Sequence, residues 1–439
     1  MTGYQLLACC QPDPAAERRH LAGWLPAGTL DLGVVGQPCL PGDGGVPDSP
    51  SAADCAVLAW ARSGLMDLTG PRDGPPTAPA APVLARVDTL AQAIAMLAAR
   101  QGTQLRLDLG HVLAARAAES GFRRQGTVSA NGSCRLLRAA DGWLAVNLAR
   151  DSDIRSLAAV LGHDPAGDPW VELRSHAASR SAAAVTAAAQ LVGIPAAGLS
   201  TEQAGPVRFR RIGHPGTAPR LVLDLSAMWA GPLCASILHR AGWRVVKVED
   251  PRRPDGARSG PPRFYSDLHD GIPAVRLDFG SPSGQAELVR LASTAGIVVE
   301  ASRPRALRAL GLIAEEWLAA APGRIWISVT GYGRDDPQQR VAFGDDAAVA
   351  GGLVAWAPDS TPVFCGDAIA DPLTGLHAGL AALAAHAVGG GFLLDAAMAW
   401  VSADVARPAP GPVIPHFVRR ADQRWVVSHG KRRQPVRQP

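Results

Sequence analysis

Lysine is nearly absent from this chain: Lys247 and Lys431 are the only two in 439 residues, against many arginines. That scarcity reads as codon bias and says nothing about mechanism. No uninterrupted apolar run approaches the length of a membrane span. The opening MTGYQLLACCQPDPAAERRH has no basic segment followed by a long apolar core, so no signal peptide is expected. Seven cysteines, an odd number without CxxC pairs, exclude a disulfide framework and suit a reducing, cytoplasmic compartment. Cys9 and Cys10 are adjacent and read as incidental. No His/Cys cluster has zinc spacing, and GxGxxG is missing, which removes the dinucleotide fingerprint.

What is present is 47% hydrophobic and 19% charged residues, the balance of a globular chain long enough for two or three domains. The net charge of +4 misleads. From Arg407 onward there are eight Lys/Arg and one acid, Asp422, so this +7 leaves residues 1–406 at −3. The basic character belongs to a proline-rich tail, 406–439, expected to be disordered rather than to bind nucleic acid.

Periodicity divides the chain further. Residues 1–55 show little pattern and are expected to be loosely structured. Residues 56–124 carry helices at Ala56–Leu68 and Leu84–Arg100, the turn TGPRDGPP (Thr69–Pro76), a strand in QLRLDLG and a helix in HVLAARAAESG. Residues 125–202 read as a small α+β domain. It has a hairpin turning at Asp141-Gly142, helices at Ile154–Leu161 and Arg180–Leu191, and a closing strand in GIPAAGL. A linker is expected at 203–219. Residues 220–405 alternate strands (221–226, 243–249, 273–279, 296–301, 325–330) with helices (231–241, 281–294, 303–320), the pattern of a parallel, right-handed Rossmann-like α/β sheet. Helical regions at 345–356 and 373–387 and a strand at 392–396 finish it. The first unit, LVLDLSAMWAGPLCASILHRAGWRVVKVED, places Ala230-Gly231-Pro232 where a helix starts after a strand, an arrangement suited to a phosphate or carboxylate. SGLMDLTG, a helix and LRLDLGHVLAA in the first half echo GGLVAW, a helix and FLLDAAMAWVS in the second.

These stretches, with LDFGSPSGQAELVRLASTAGIVVEASRP, SVTGYGRDDP, GDDAAVAGGLVAW and AIADPLTGLHAGLAAL, resemble the class III coenzyme A transferases. That family includes formyl-CoA transferase, carnitine CoA-transferase and α-methylacyl-CoA racemase. The resemblance spans 56–405, but the family's later portion comes first here, as in a rearranged or partly duplicated chain. It implies coenzyme A and acyl-CoA as substrates, with no permanently bound cofactor, and a carboxylic acid as acceptor. It also implies a homodimer of interlocked, ring-like subunits and an aspartate nucleophile passing through anhydride and thioester intermediates.

Three aspartates compete for that role. Asp73 holds the position the transferases use in a TGxxDGPP-like turn, although a plain turn explains it too. Asp359 in APDSTP is its looser counterpart in the second copy. Asp345 stands at the racemases' offset after Gly331, with Asp346 beside it, and an N-cap explains either. A racemase also needs a partner base; 314–327 offers Glu315 and Glu316 in place of the family's histidine. For CoA the resemblance implies Ala230, Gly231, Pro232, Lys247, Arg303 and Tyr332, with Gly132 in the small-domain loop that would shield the intermediate. The family's lysine is replaced by Ile272, an absence worth about 1 kcal/mol near phosphates, with Arg305, Arg308 or Arg263 as substitutes. Three readings follow: CoA transferase, acyl-CoA racemase or isomerase, and a catalytically degenerate CoA-binding homologue.

Overall fold

The computed structural model describes residues 5–10, 13–30, 55–202, 205–409, 413–429 and 432–439. The chain opens with β1 (Gln5–Cys10) and α1 (Pro14–Trp24), the latter capped by Asp13, whose carboxylate accepts from the Ala15 N–H at 2.9 Å. Then come α2 (Ala56–Arg62), α3 (Val83–Ala99) and α4 (Leu109–Ser120). Asp108 caps α4, and Gly121 ends it in the left-handed region. The small domain follows as β2 (Cys134–Arg138), β3 (Trp143–Asn147), α5 (Asp151–Leu161), α6 (Pro169–Ala178), α7 (Ala182–Leu191) and β4 (Ala196–Gly198). Its antiparallel sheet, ordered β2-β3-β4, packs on a core that includes Leu144, Leu157, Leu173 and Ile194.

The large domain runs β5 (Val207–Arg211), β6 (Leu221–Leu225), α8 (Ala230–Arg240), β7 (Arg244–Glu249), α9 (Pro262–Leu268), β8 (Ala274–Arg276), α10 (Pro282–Thr294) and β9 (Ile297–Glu300). It continues through α11 (Pro304–Ala309), α12 (Ala314–Ala319), β10 (Ile325–Thr330), α13 (Gly344–Ala350), β11 (Val354–Trp356), β12 (Pro362–Phe364), α14 (Ala370–Ala387), β13 (Phe392–Ala397) and α15 (Met398–Ala406). Its sheet is ordered β5-β13-β10-β9-β6-β7-β8, parallel from β13 to β8, with β5 antiparallel on the edge. Strands β6, β9 and β10 are apolar runs buried on both faces, as a sheet covered by helices requires. The α/β architecture read from the alternating pattern is therefore the observed one.

Helix α14 is buried nearly all round and lies between α3 and α8. Two glycines set its approach to α8. A Cβ at Gly375 would lie 2.7 Å from the Ala230 carbonyl oxygen, and one at Gly379 would crowd Ile237 at 3.1 Å. Only glycine permits that crossing, and it brings the start of α14 beside the start of α8.

Four expectations change. The stretch 104–108 forms no strand; Asp108 is used instead as the cap of α4, and no sheet edge lies alongside. The echo between the halves thus holds for helices α3 and α14 and fails for the strand. Residues 207–211 are a sheet edge, not linker, and 303–320 splits into two helices at Gly311 (φ +79°). The N-terminal segment is ordered where it is described.

Nor is the tail disordered where it is described. β14 (Val413–Ala421), β15 (Arg424–His429) and β16 (Arg432–Pro435) join β1 in an antiparallel sheet. Asp422 and Gln423 both take positive φ between Ala421 and Arg424, a two-residue hairpin turn. Val418 and Val427 point into the main core with Leu7. Burying such side chains stabilises by about 1.5–3 kcal/mol each, enough to hold a segment whose composition argues for disorder.

Candidate functional site

In the parallel sheet the chain order reverses between β6 and β9, where β6-β7-β8 run one way and β9-β10-β13 the other. Crevices for ligands form at the carboxyl ends of such a switch point. A cleft of about 220 Å³ opens there. Ala227, Met228, Ala230 and Gly231 line it from the β6 side, Ser302 and Arg303 from β9, and Gly331 and Arg334 from β10. Ala230 and Gly231, which open α8, line this space, and the first N–H groups of a helix have no intrahelical acceptor. Gly231 is required there, since a Cβ would collide with Ser226 at the end of β6.

The cleft's inner wall carries Phe343, Met398 and Asp371. Asp371 is in the first turn of α14, partly exposed, and belongs to a group of four carboxyls otherwise sealed from solvent: Asp345, Asp346 and Asp367 are at most 2% exposed. The tight segment before α14 gathers them. Gly366 (φ +68°) and Ala368 (φ +43°) both sit in the left-handed region, and the Ala368 N–H donates to Asp345 Oδ1 at 2.9 Å. A side chain at Gly344 would overlap the Asp371 carboxylate.

Charge in this group is unevenly distributed. Arg116 of α4 grips Asp367 with two hydrogen bonds, 2.7 and 2.6 Å. Burial, and then the neighbouring Asp367 charge, push Asp345 up to about 6 against the pull of Arg116. Burial pushes Asp346 up to about 8, although Asn147 Nδ2 (3.1 Å) and the Phe343 N–H (3.0 Å) donate to it. For Asp371 burial again dominates; Arg116 opposes it and Asp345 and Asp367 add to it, leaving the carboxyl at about 7. Such a group is poised to lose its proton near neutrality.

The first half of the chain completes the site. Asn131 Nδ2 donates to Asp345 Oδ2 at 2.9 Å, Arg116 holds Asp367, and Thr69 Oγ1 accepts from the Gly366 N–H at 3.2 Å. The loop that contains Gly132 thus reaches the carboxyl group through Asn131, while Gly132 (φ +83°) itself supplies only the turn.

The sequence-derived candidates scatter around this centre. Ala230, Gly231 and Arg303 line the cleft; Pro232 is buried inside α8 and does not. Lys247 is 1% exposed, 3.0 Å from Asp255 and 3.6 Å from Asp224, and donates to the Ser226 carbonyl at 2.9 Å. Burial works against its charge, but the two carboxylates outweigh it and its pKa is raised. An ammonium so enclosed is a bolt between β6 and β7, not a phosphate ligand. Tyr332 is buried under Arg340, whose guanidinium lies 3.9 Å from its ring centre, and its neighbours Gly331 and Gly333 line the cleft in its place. Arg308 and Arg263 are engaged with Glu315 (3.9 Å) and Glu119 (3.6 Å).

Of the three aspartates, Asp345 is in the central group but closed off. Asp359 sits exposed in the hairpin between β11 and β12, bonded to the Thr361 N–H at 3.0 Å. Asp73 is exposed in a separate hollow with Arg72, Arg123 and Arg124, and Arg124 pins its turn by donating to the Pro71 and Gly74 carbonyls. Asp371, Asp367 and Arg116 were not singled out by sequence reasoning. An acid in the first turn of an apolar helix is ordinarily a dipole-complementing residue, and that bland explanation concealed Asp371. The available signal was two acids within GDAIADP, at the entry to an apolar helix.

Among the described residues no helix is long and apolar enough to cross a membrane, and no group of three or more His, Cys, Asp or Glu is arranged to hold a metal ion. Comparison with known proteins gives a consistent picture. The family described as CoA-transferase family III matches residues 42–196 and 219–410. The succinyl-CoA–D-citramalate CoA-transferase of Chloroflexus aurantiacus is 34% identical over 174 residues, 37% of this chain and 43% of the relative. The human succinyl-CoA:glutarate CoA-transferase is 30% identical over 223 residues, 48% and 50% respectively. This chain thus spans half or less of the length of these relatives. A CAIB/BAIF family protein from Brucella suis superposes with a TM-score of 0.40 at 27% identity, covering 43% of this chain and 55% of that one. With both halves matched, the chain belongs to CoA-transferase family III.

Proposed function

We propose that the protein moves coenzyme A between an acyl-CoA and a carboxylic acid, with Asp371 as the nucleophile. One observation carries this reading: of the four gathered carboxyls, Asp371 alone lines the cleft, opposite the N–H groups that open α8. Asp371 attacks the thioester carbonyl, the C–S bond breaks, and CoA leaves as a thiolate, giving a mixed anhydride. The thiolate then attacks the Asp371 side-chain carbonyl, forming an aspartyl-CoA thioester and releasing the first acid as its carboxylate. The incoming carboxylate attacks that thioester and expels the thiolate. The thiolate finally takes the new acyl group and frees Asp371. Each tetrahedral oxyanion needs fixed donors, and the Ala230 and Gly231 N–H groups are placed to serve. Arg303, exposed at the rim, suits the phosphates of CoA.

Replacing Asp371 by Asn removes the nucleophile at almost unchanged volume. CoA exchange between an acyl-CoA and a labelled acid is expected to fall by about 10³-fold or more. Unaltered exchange would remove Asp371 from the mechanism, with Asp73, Asp359 and Asp345 the remaining candidates. The racemase reading loses support from the burial of Asp345 and Asp346. A non-catalytic CoA-binding role predicts tight CoA binding with no exchange by the wild type. We infer a homodimer from the family resemblance, and sedimentation at twice the chain mass checks it.

A further inference from the structure

We propose that Arg116, which the first half of the chain delivers to the second-half site, is a positioning residue that acts on Asp371 through Asp367. The inference rests on the reading of Asp371 as the reacting group. Four carboxyls share one buried region, and a single guanidinium enters it. Arg116 commits that charge to Asp367 in a two-toothed grip of 2.7 and 2.6 Å, with Asp367 fully buried. Its guanidinium also lies 5.4 Å from the ring centre of Trp229, the residue that immediately precedes α8 and packs edge-on against Phe264 at 4.9 Å. One side chain therefore ties together α4, the left-handed bend before α14 and the entry to α8.

These are the elements that bring Asp371 to the cleft. Asp367 stands in the bend between Gly366 and Ala368, four residues ahead of Asp371. Holding Asp367 fixes the bend, and fixing the bend fixes the first turn of α14. The ion pair has an electrostatic role as well. The charged and titratable groups that bear on Asp371 are Arg116 from α4, Asp345 from α13 and Asp367 from the bend; the first turn of α8, Ala230–Leu233, presents no ionisable side chain. Without Arg116 the site keeps only negative or protonated neighbours, and ionising Asp371 becomes harder.

The test reads the Asp371 carboxyl directly. Labelling with a water-soluble carbodiimide and an amine, mapped by peptide mass spectrometry between pH 5 and 9, reports the protonated fraction at Asp371 in the absence of substrate. In Arg116→Gln the midpoint is expected to rise by about one pH unit. The double variant Arg116→Gln/Asp367→Asn, which restores a hydrogen-bonded neutral pair, is expected to bring it back toward the wild-type value. An unchanged midpoint in a folded Arg116→Gln protein overturns the proposal. If that variant fails to fold, the double variant and Arg116→Lys decide it. Arg116→Lys keeps the charge without the fork, so its midpoint stays within half a unit of wild type while kcat for CoA exchange falls about tenfold at constant KM. A wild-type kcat in Arg116→Lys, or a double-variant midpoint as high as that of a protein lacking the pair's charge balance, overturns the positioning role. Loss of exchange chemistry in every variant, wild type included, would refute the Asp371 reading while the labelling comparison still judged Arg116.

Discussion

At the residue scale the site is a problem of burying acids. Asp346 is fully buried, its pKa is raised to about 8, and its Oδ2 has no hydrogen-bond partner. Because the folded-state pKa lies above the unfolded value, the native state binds the extra proton between about pH 4 and 8, and stability falls as pH rises through that window. Asp346→Asn removes the proton requirement. Its stability relative to wild type is therefore expected to improve from pH 5 to pH 8 by about 1.4 kcal/mol per unit at most, measurable as diverging urea midpoints; parallel curves would show that Asp346 is ionised in the native state. Lys247 offers the converse case. Lys247→Ala leaves Asp224 and Asp255 buried without their counter-charge and is expected to cost about 3–5 kcal/mol. A phosphate-binding lysine would instead weaken CoA binding and leave the melting temperature alone. Its enclosure was not legible from sequence, because KVED at a strand end looks the same whether the ammonium faces a ligand or two distant carboxylates.

At the scale of elements, periodicity was informative wherever one face of an element is buried. β6, β9, β10 and β13, together with α8, α10 and α14, lie close to where their apolar patterns put them. It failed where composition spoke louder than pattern. FVRRADQRWVV alternates Val418 and Val427 inward with charged residues outward, yet its arginines and neighbouring prolines suggested a disordered tail. The folded sheet predicts that Arg419 and Arg420, in β14 between β1 and β15, resist trypsin under native conditions. Cleavage there at the rate of an unfolded peptide would contradict it. Truncation after residue 409 is expected to lower the melting temperature by several degrees, since Leu7 loses its buried neighbours. The opposite error occurred at 105–109, where LRLDL alternates well but has no neighbouring strand; Asp108 instead caps α4 through the His111 N–H, and Leu109 opens that helix.

At the scale of the molecule, the two halves are not separate units joined by a linker. Helix α3 packs along α14, Thr69 binds the bend before α14, Asn131 holds Asp345, and Arg116 holds Asp367. The region of the site was legible because AGP after β6 opens a helix at the carboxyl end of a parallel strand, where α/β sheets form their ligand crevices. The reacting group was not, because it depends on which of several aspartates a long-range fold leaves open to that cleft. Asp73 fits the motif better and Asp371 fits the geometry better. The central claim is that Asp371 carries the acyl and CoA groups, and trapping tests it most directly. The wild type is incubated with acyl-CoA and hydroxylamine, and the modified peptide is mapped by mass spectrometry. A hydroxamate at Asp371, absent without acyl-CoA, is the predicted result; a hydroxamate at Asp73, or none in a protein that exchanges CoA, would contradict it.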